Sequence, residues 1–107
     1  MVKIDIKPLS VNGAWQGRRF KTPEYKRYID AVLLLLPNIE IPTNPLQLAI
    51  EFGFSSKASD IDNCLKPFLD CLVKRYGFDD REIYFLLVKK TIVPKGKEFI
   101  NFKLESI

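Results

Sequence analysis

Leu46-Gln47-Leu48-Ala49-Ile50-Glu51-Phe52-Gly53-Phe54 decides the fold. Apolar residues at every even position alternate with Gln47, Ala49, Glu51 and Gly53. A period of two is that of a strand with one face buried. Residues 55–59 are a polar loop, followed by Asp60-Ile61-Asp62-Asn63-Cys64-Leu65-Lys66. There the period changes: Leu65, Phe68 or Leu69, Leu72 and Tyr76 recur at helical spacing. Lys74 and Arg75 suit the negative end of that helix, and Gly77 the left-handed residue just past it. Pro67 lacks an N–H and biases the residue before it away from helix. Either the regular helix begins at Pro67 or residues 63–66 form a distorted first turn; the distorted turn is the preferred reading.

Upstream, Val2, Ile4 and Ile6 alternate with Lys3, Asp5 and Lys7, a half-buried strand ended by Pro8. Residues 9–21 show no sustained period, and loops of that length are usually functional or disordered. Thr22-Pro23-Glu24 opens a helix: Thr22 caps, Pro23 fits the first helical position and Glu24 complements the positive end. Tyr25, Tyr28 or Ile29, Val32 and Leu36 follow at helical spacing, and Pro37-Asn38 stops them. Pro42 and Pro45 mark a turn-rich connection. Downstream, residues 82–93 read as a long strand and Pro94-Lys95-Gly96-Lys97 as a turn. Residues 99–105 read as a last strand, with Ile100, Phe102 and Leu104 inward. The order β-α-β-α-β-β predicts an α+β fold: one two-layer domain over residues 1–107, a small mixed sheet with both helices on one face. The last two strands are expected to form an antiparallel hairpin.

The 107 residues carry a net charge of +4 and no histidine, and 47% are apolar. The longest apolar run, residues 31–36, is far too short to span a bilayer. Residues 1–5 lack the apolar stretch of a signal peptide, so a cytoplasmic location is expected. Cys64 and Cys71 on one helix would stand roughly 10 Å apart along its axis, too far to bridge. Two cysteines without histidine also make a poor zinc site. A pI near 9.1 favours an anionic partner, nucleic acid or a membrane surface.

Asp60 and Asp62 are two apart where a strand gives way to a helix, so both can face one ion. Carboxylates without histidine favour hard, oxygen-bound cations such as Mg²⁺. Lys66 and Asp70 continue at four-residue steps from Asp62, either as a surface ion pair or as a positive group beside a metal. Asp79 and Asp80 alone read as turn residues. Asp80 is expected to join Asp60 and Asp62 only if the third strand starts beside the end of the second. Arg18, Arg19 and Lys21, interleaved with Trp15 and Phe20, suit phosphates and stacked bases. Lys89, Lys90, Lys95 and Lys97 add charge near the last turn, where edge lysines commonly deter aggregation.

The segment Asp60-Ile-Asp-Asn-Cys-Leu-Lys-Pro-Phe-Leu-Asp-Cys-Leu72, then Gly77-Phe78-Asp79-Asp80 and a strand reaching Val88-Lys89-Lys90, resembles the RusA family of Holliday-junction resolvases. The loop over residues 8–22 and the helix start Thr22-Pro23-Glu24-Tyr25 resemble those of its phage and prophage members. The resemblance covers nearly the whole chain. It implies a Mg²⁺- or Mn²⁺-dependent homodimer that resolves four-way DNA junctions by paired nicks in recombination and repair. On it, Asp60, Asp62 and Asp80 match the metal ligands and Lys66 the important lysine, with Asn63, Asp70 and Asp79 in support. Asn12, Trp15, Arg18, Arg19, Lys21 and Lys57 are the candidate DNA contacts. The rival reading is a non-catalytic nucleic-acid-binding domain whose aspartates are caps and turns.

Overall fold

The alternation from Leu46 to Phe54 is realised as a nine-residue strand whose even residues are all buried. The computed structural model describes residues 1–11, 15–16 and 20–107. Along the chain run β1 (Val2–Ile4), β2 (Trp15–Gln16), β3 (Phe20–Lys21), α1 (Pro23–Leu35), β4 (Leu46–Phe54) and α2 (Leu65–Tyr76). A 3₁₀ turn (Asp80–Glu82), β5 (Ile83–Ile92) and β6 (Phe99–Ser106) complete it. The main sheet has the order β1-β6-β4-β5, and β2 and β3 form a separate two-stranded ribbon. Among the described residues the fold is therefore α+β with a mixed four-stranded sheet and two helices, as the pattern predicts.

The expected terminal hairpin is not formed. β5 pairs parallel to β4 and β6 antiparallel to it, so β4 lies between the last two strands. The reason is burial. A strand that loses its water on one whole face must also satisfy its backbone groups on both edges. The helical crossover through α2 brings β5 back parallel. The turn after it carries the chain past the end of β4, where Val93 N–H donates to Phe54 O at 2.7 Å.

The helix ends obey their local signals. Thr22 Oγ1 accepts from Tyr25 N–H at 3.1 Å, with Pro23 in the first helical position. Gly77 closes α2 at φ 76°, the left-handed conformation expected there. Pro67 is the third residue of α2, where the N–H would have had no helical partner. The helix thus starts at Leu65, two residues before the proline, after a turn in which Leu65 N–H donates to Asp62 O at 3.1 Å.

Both helices share one core with β4 and β6. The Phe68 ring from α2 stands edge-on to Phe52, at 6.1 Å between centroids, and to Phe102, at 5.8 Å. Each such buried ring contributes about 1.5–3 kcal/mol. Cys64 and Cys71 are free and buried, as expected, and burial pushes their thiols up to about 11 and about 12. Among the described residues, no helix is long and apolar enough to cross a membrane.

Gly53 lies opposite Phe99 in the β4–β6 register. A Cβ at Gly53 would fall well inside contact distance of the Phe99 ring. Gly53→Ala must displace that ring and is expected to cost about 1–3 kcal/mol in urea unfolding. A variant as stable as the parent would show that Phe99 moves freely.

Candidate active site

The turn that precedes α2 is fastened from two sides. Lys90 Nζ, on β5, donates to Lys57 O at 2.8 Å and to Ser59 O. From the other side, Val11 N–H donates to Asn63 O at 2.6 Å. Within the turn Asn63 Nδ2 donates to Asp60 Oδ2 at 3.0 Å. Asp60 and Asp62 are both exposed. A cavity of about 490 Å³ opens beside Asp60, lined also by Lys7, Ser10, Ser55, Ser59 and Asn63.

Lys66 stands in the first turn of α2. Its Nζ is 3.0 Å from Asp70 Oδ1 and 3.8 Å from Asp80 Oδ2. Asp70 is held in turn by the phenol of Tyr25, which donates to Oδ2 at 3.1 Å. Tyr25 is fully buried on α1, so the contact ties the two helices together. The hydrogen bond that Lys66 donates to Asp70 raises the Lys66 pKa, partial burial opposes it, and the charges of Asp70 and Asp80 add to it. Burial first, and then the charge of Asp70, push the Tyr25 phenol well above its ordinary range. The Lys66 side chain is 59% exposed, so its ion pairs add well under about 1 kcal/mol to stability. What they fix is the position of the ammonium group.

The adjacent aspartates divide their work. Asp79 caps the 3₁₀ turn, accepting from Arg81 N–H at 3.0 Å and from the Arg81 guanidinium at 2.8 and 3.1 Å. Glu82 Oε1 accepts from Asp79 N–H at 2.9 Å in return. Asp80 is left to face Lys66. The expected route for Asp80 is not the one taken: Ile83 lies opposite Leu46, so the third long strand starts beside the start of the second, not its end. That follows from the parallel crossover. Asp80 still meets the start of α2, because the Lys66 side chain spans the gap. Among the described residues, no three acidic or cysteine side chains form a ready-made metal cluster.

Asn12, Arg18 and Arg19 lie outside the described residues. The segment read as lacking any period contains the β2–β3 ribbon, in which Trp15 pairs with Lys21. Lys21 Nζ sits 5.5 Å from the centre of the Tyr25 ring, so this basic residue abuts the tyrosine that holds Asp70. Lys57 is exposed in the loop before Asp60.

Two residues escaped the sequence reading. Tyr25 reads as one more core position, and nothing in a helical period reveals that its hydroxyl reaches Asp70. Lys90 reads as an edge lysine. The signal was there: Lys90 falls beside Phe52, in phase with Leu86 and Val88, where an apolar residue is expected.

The donors fit a hard cation in kind. They are carboxylates, the chain has no histidine, and its two thiols are buried and held protonated. Mg²⁺ typically takes one or two carboxylates and completes its shell with water and substrate phosphate, so a closed protein cage is not required. A model of the family described as endodeoxyribonuclease RusA matches residues 10–100 of this chain. A comparison with curated proteins gives no match.

The hydrogen bonds from the Arg81 side chain, and then its backbone N–H, hold the Asp79 carboxyl down to about 2. A depressed pKa means that its contribution is complete above the unfolded value near ~3.9 and lost as pH falls through about 2. Asp79→Ala should therefore flatten the fall in Tm between about pH 4 and pH 2. An acid limb of unchanged slope would remove Asp79 from the pH response.

Proposed function

This chain belongs to the RusA family of endodeoxyribonucleases, which resolve Holliday junctions, and from that premise we propose which of its residues do the work. RusA nucleases are metal-dependent and act on branched DNA. In our reading residues 1–107 form one such domain, acting in the cytoplasm. Asp60, Asp62 and Asp80 would hold Mg²⁺, or Mn²⁺ in its place. When bound, such an ion polarises the phosphate and acidifies a water beside it.

The observation that carries this reading is the Lys66 ammonium, held between Asp70 and Asp80 in the first turn of the helix that follows Asp60 and Asp62. With its pKa raised, Lys66 stays charged at neutral pH and serves as a cation, not as a base. It offsets charge developing on the scissile phosphate. The proton of the attacking water goes to a carboxylate of the same set, since the chain has no histidine. Asp70 and Tyr25 are positioning residues, which aim Lys66 without touching DNA. Asn63 aims Asp60 in the same way. Arg18, Arg19, Lys21 and Lys57 grip backbone phosphates, with Asn12 and Trp15 beside them; such contacts position DNA without specifying its sequence. Two copies about a twofold axis would present two equal sites to opposed strands of a four-way junction.

Asp62→Asn is nearly isosteric but uncharged. It should lower Mg²⁺-dependent nicking of a labelled synthetic junction by at least ~100-fold and leave junction binding within a few fold. Full cleavage by that variant sinks the assignment of Asp62. Tyr25→Phe keeps the ring in the core and removes the hydroxyl that donates to Asp70. Its nicking rate should fall about 3–10-fold with junction affinity unchanged, and Asp70→Asn should add little to it, as expected of residues acting as one unit. Additive losses would mean that the two act separately.

A further inference from the structure

One residue breaks the pattern of β5. Parallel pairing sets Leu86 beside Leu48, Val88 beside Ile50 and Lys90 beside Phe52. All three partners on β4 are buried, so the third position also calls for an apolar side chain. A half-buried lysine stands there instead. Departures from a local pattern are expected where function is served.

The ammonium group of Lys90 serves one loop. Its Nζ donates to Lys57 O at 2.8 Å and to Ser59 O. Residues 55–64, between β4 and α2, form neither strand nor helix. Ala58 N–H donates to Ser56 Oγ at 3.2 Å and Ser59 N–H to Ser56 O at 3.3 Å, which closes a tight turn without attaching it to the sheet. Ser55 Oγ ties the start of the loop to Glu98 Oε2 at 2.8 Å, and Val11 N–H holds its far end at Asn63 O. Between those ties, Lys90 reaches the residue just before Asp60. The Ser59 carbonyl belongs to the planar peptide group that ends at Asp60 Cα. Fixing its oxygen therefore fixes the plane from which the Asp60 side chain leaves the backbone. We propose that Lys90 is a positioning residue for the metal site: it holds the Ser59–Asp60 peptide against β5 so that the Asp60 carboxylate meets a divalent cation together with Asp62. This rests on the proposed function, in which Asp60 and Asp62 are metal ligands, and adds a residue that reading leaves unassigned.

The sign of the effect separates positioning from charge. A fixed positive charge near a cation site repels the cation, so its removal alone would tighten metal binding. Removing a support loosens binding instead. Lys90→Met keeps the side chain long, drops the charge and suits the apolar place beside Phe52. The test is Mn²⁺ binding by the DNA-free full chain, followed by the EPR signal of the free ion. Thermal unfolding and the Mg²⁺ dependence of junction nicking are measured in parallel. Lys90→Met should weaken Mn²⁺ binding about 10-fold and raise the Mg²⁺ concentration for half-maximal nicking by a similar factor. Its Tm should stay within about 2 °C of the parent or rise. A lysine kept only for the fold would lower Tm and leave metal affinity where it was. Lys90→Arg keeps the charge and donors in a wider, planar group, and should recover binding to within about 3-fold of the parent. Lys89→Met removes the same charge from the opposite face and should change binding by less than about 2-fold. Binding by Lys90→Met as tight as the parent's or tighter, a Tm several degrees lower, no recovery in Lys90→Arg, or an equal loss in Lys89→Met would overturn the proposal. Asp62→Asn is measured beside these. If it binds Mn²⁺ as the parent does, the metal assignment fails and this proposal with it. If it loses binding while Lys90→Met keeps it, the assignment stands and only the role of Lys90 falls.

Discussion

Burial of β4 is the constraint on which the rest of the structure depends. Its five even side chains leave water altogether, and a strand in that position must have both of its edges paired. β6 takes one edge and β5 the other. With those places filled, α2 has to run back along the sheet, β5 has to begin at the foot of β4, and the final turn has to carry the chain past the top. The edge-on contacts of Phe68 with Phe52 and Phe102 then lock α2 onto the sheet and fix where its first turn stands.

That first turn is where charge gathers. The two ends of the crossover, the turn before α2 and the 3₁₀ turn after it, each bring carboxylates, and Lys66 bridges the second group. The pairings are too exposed to stabilise the fold appreciably. They are placed on rigid supports nonetheless: Tyr25 from the core on Asp70, Lys90 from β5 on the loop before Asp60, and Arg81 on Asp79 so that Asp80 stays available. Groups held in this way are pre-organised, which a reaction at a phosphate requires and a mere solvated surface does not.

Much of this was legible in advance, for local reasons. The period of two in β4, the Thr22 cap and the Gly77 stop are each written within a few residues, and each stands where it was read. The Pro67 ambiguity resolved towards a helix that begins before the proline, because the first turn of a helix tolerates a missing N–H. The terminal hairpin was misread for the opposite kind of reason. A short turn between two strands suggests neighbours, but the sheet inserted the more deeply buried β4 between them.

The sequence by itself determined the order of the main helices and strands, the helix ends, the core stripes and the residue types offered for metal and phosphate chemistry, because these follow from side-chain type and local period. Only the tertiary structure decided that β5 starts at the foot of β4, that Asp80 rather than Asp79 faces Lys66, and that Tyr25 and Lys90 brace the site. Those outcomes depend on contacts between residues far apart in the chain, set by how one buried strand shares its two edges.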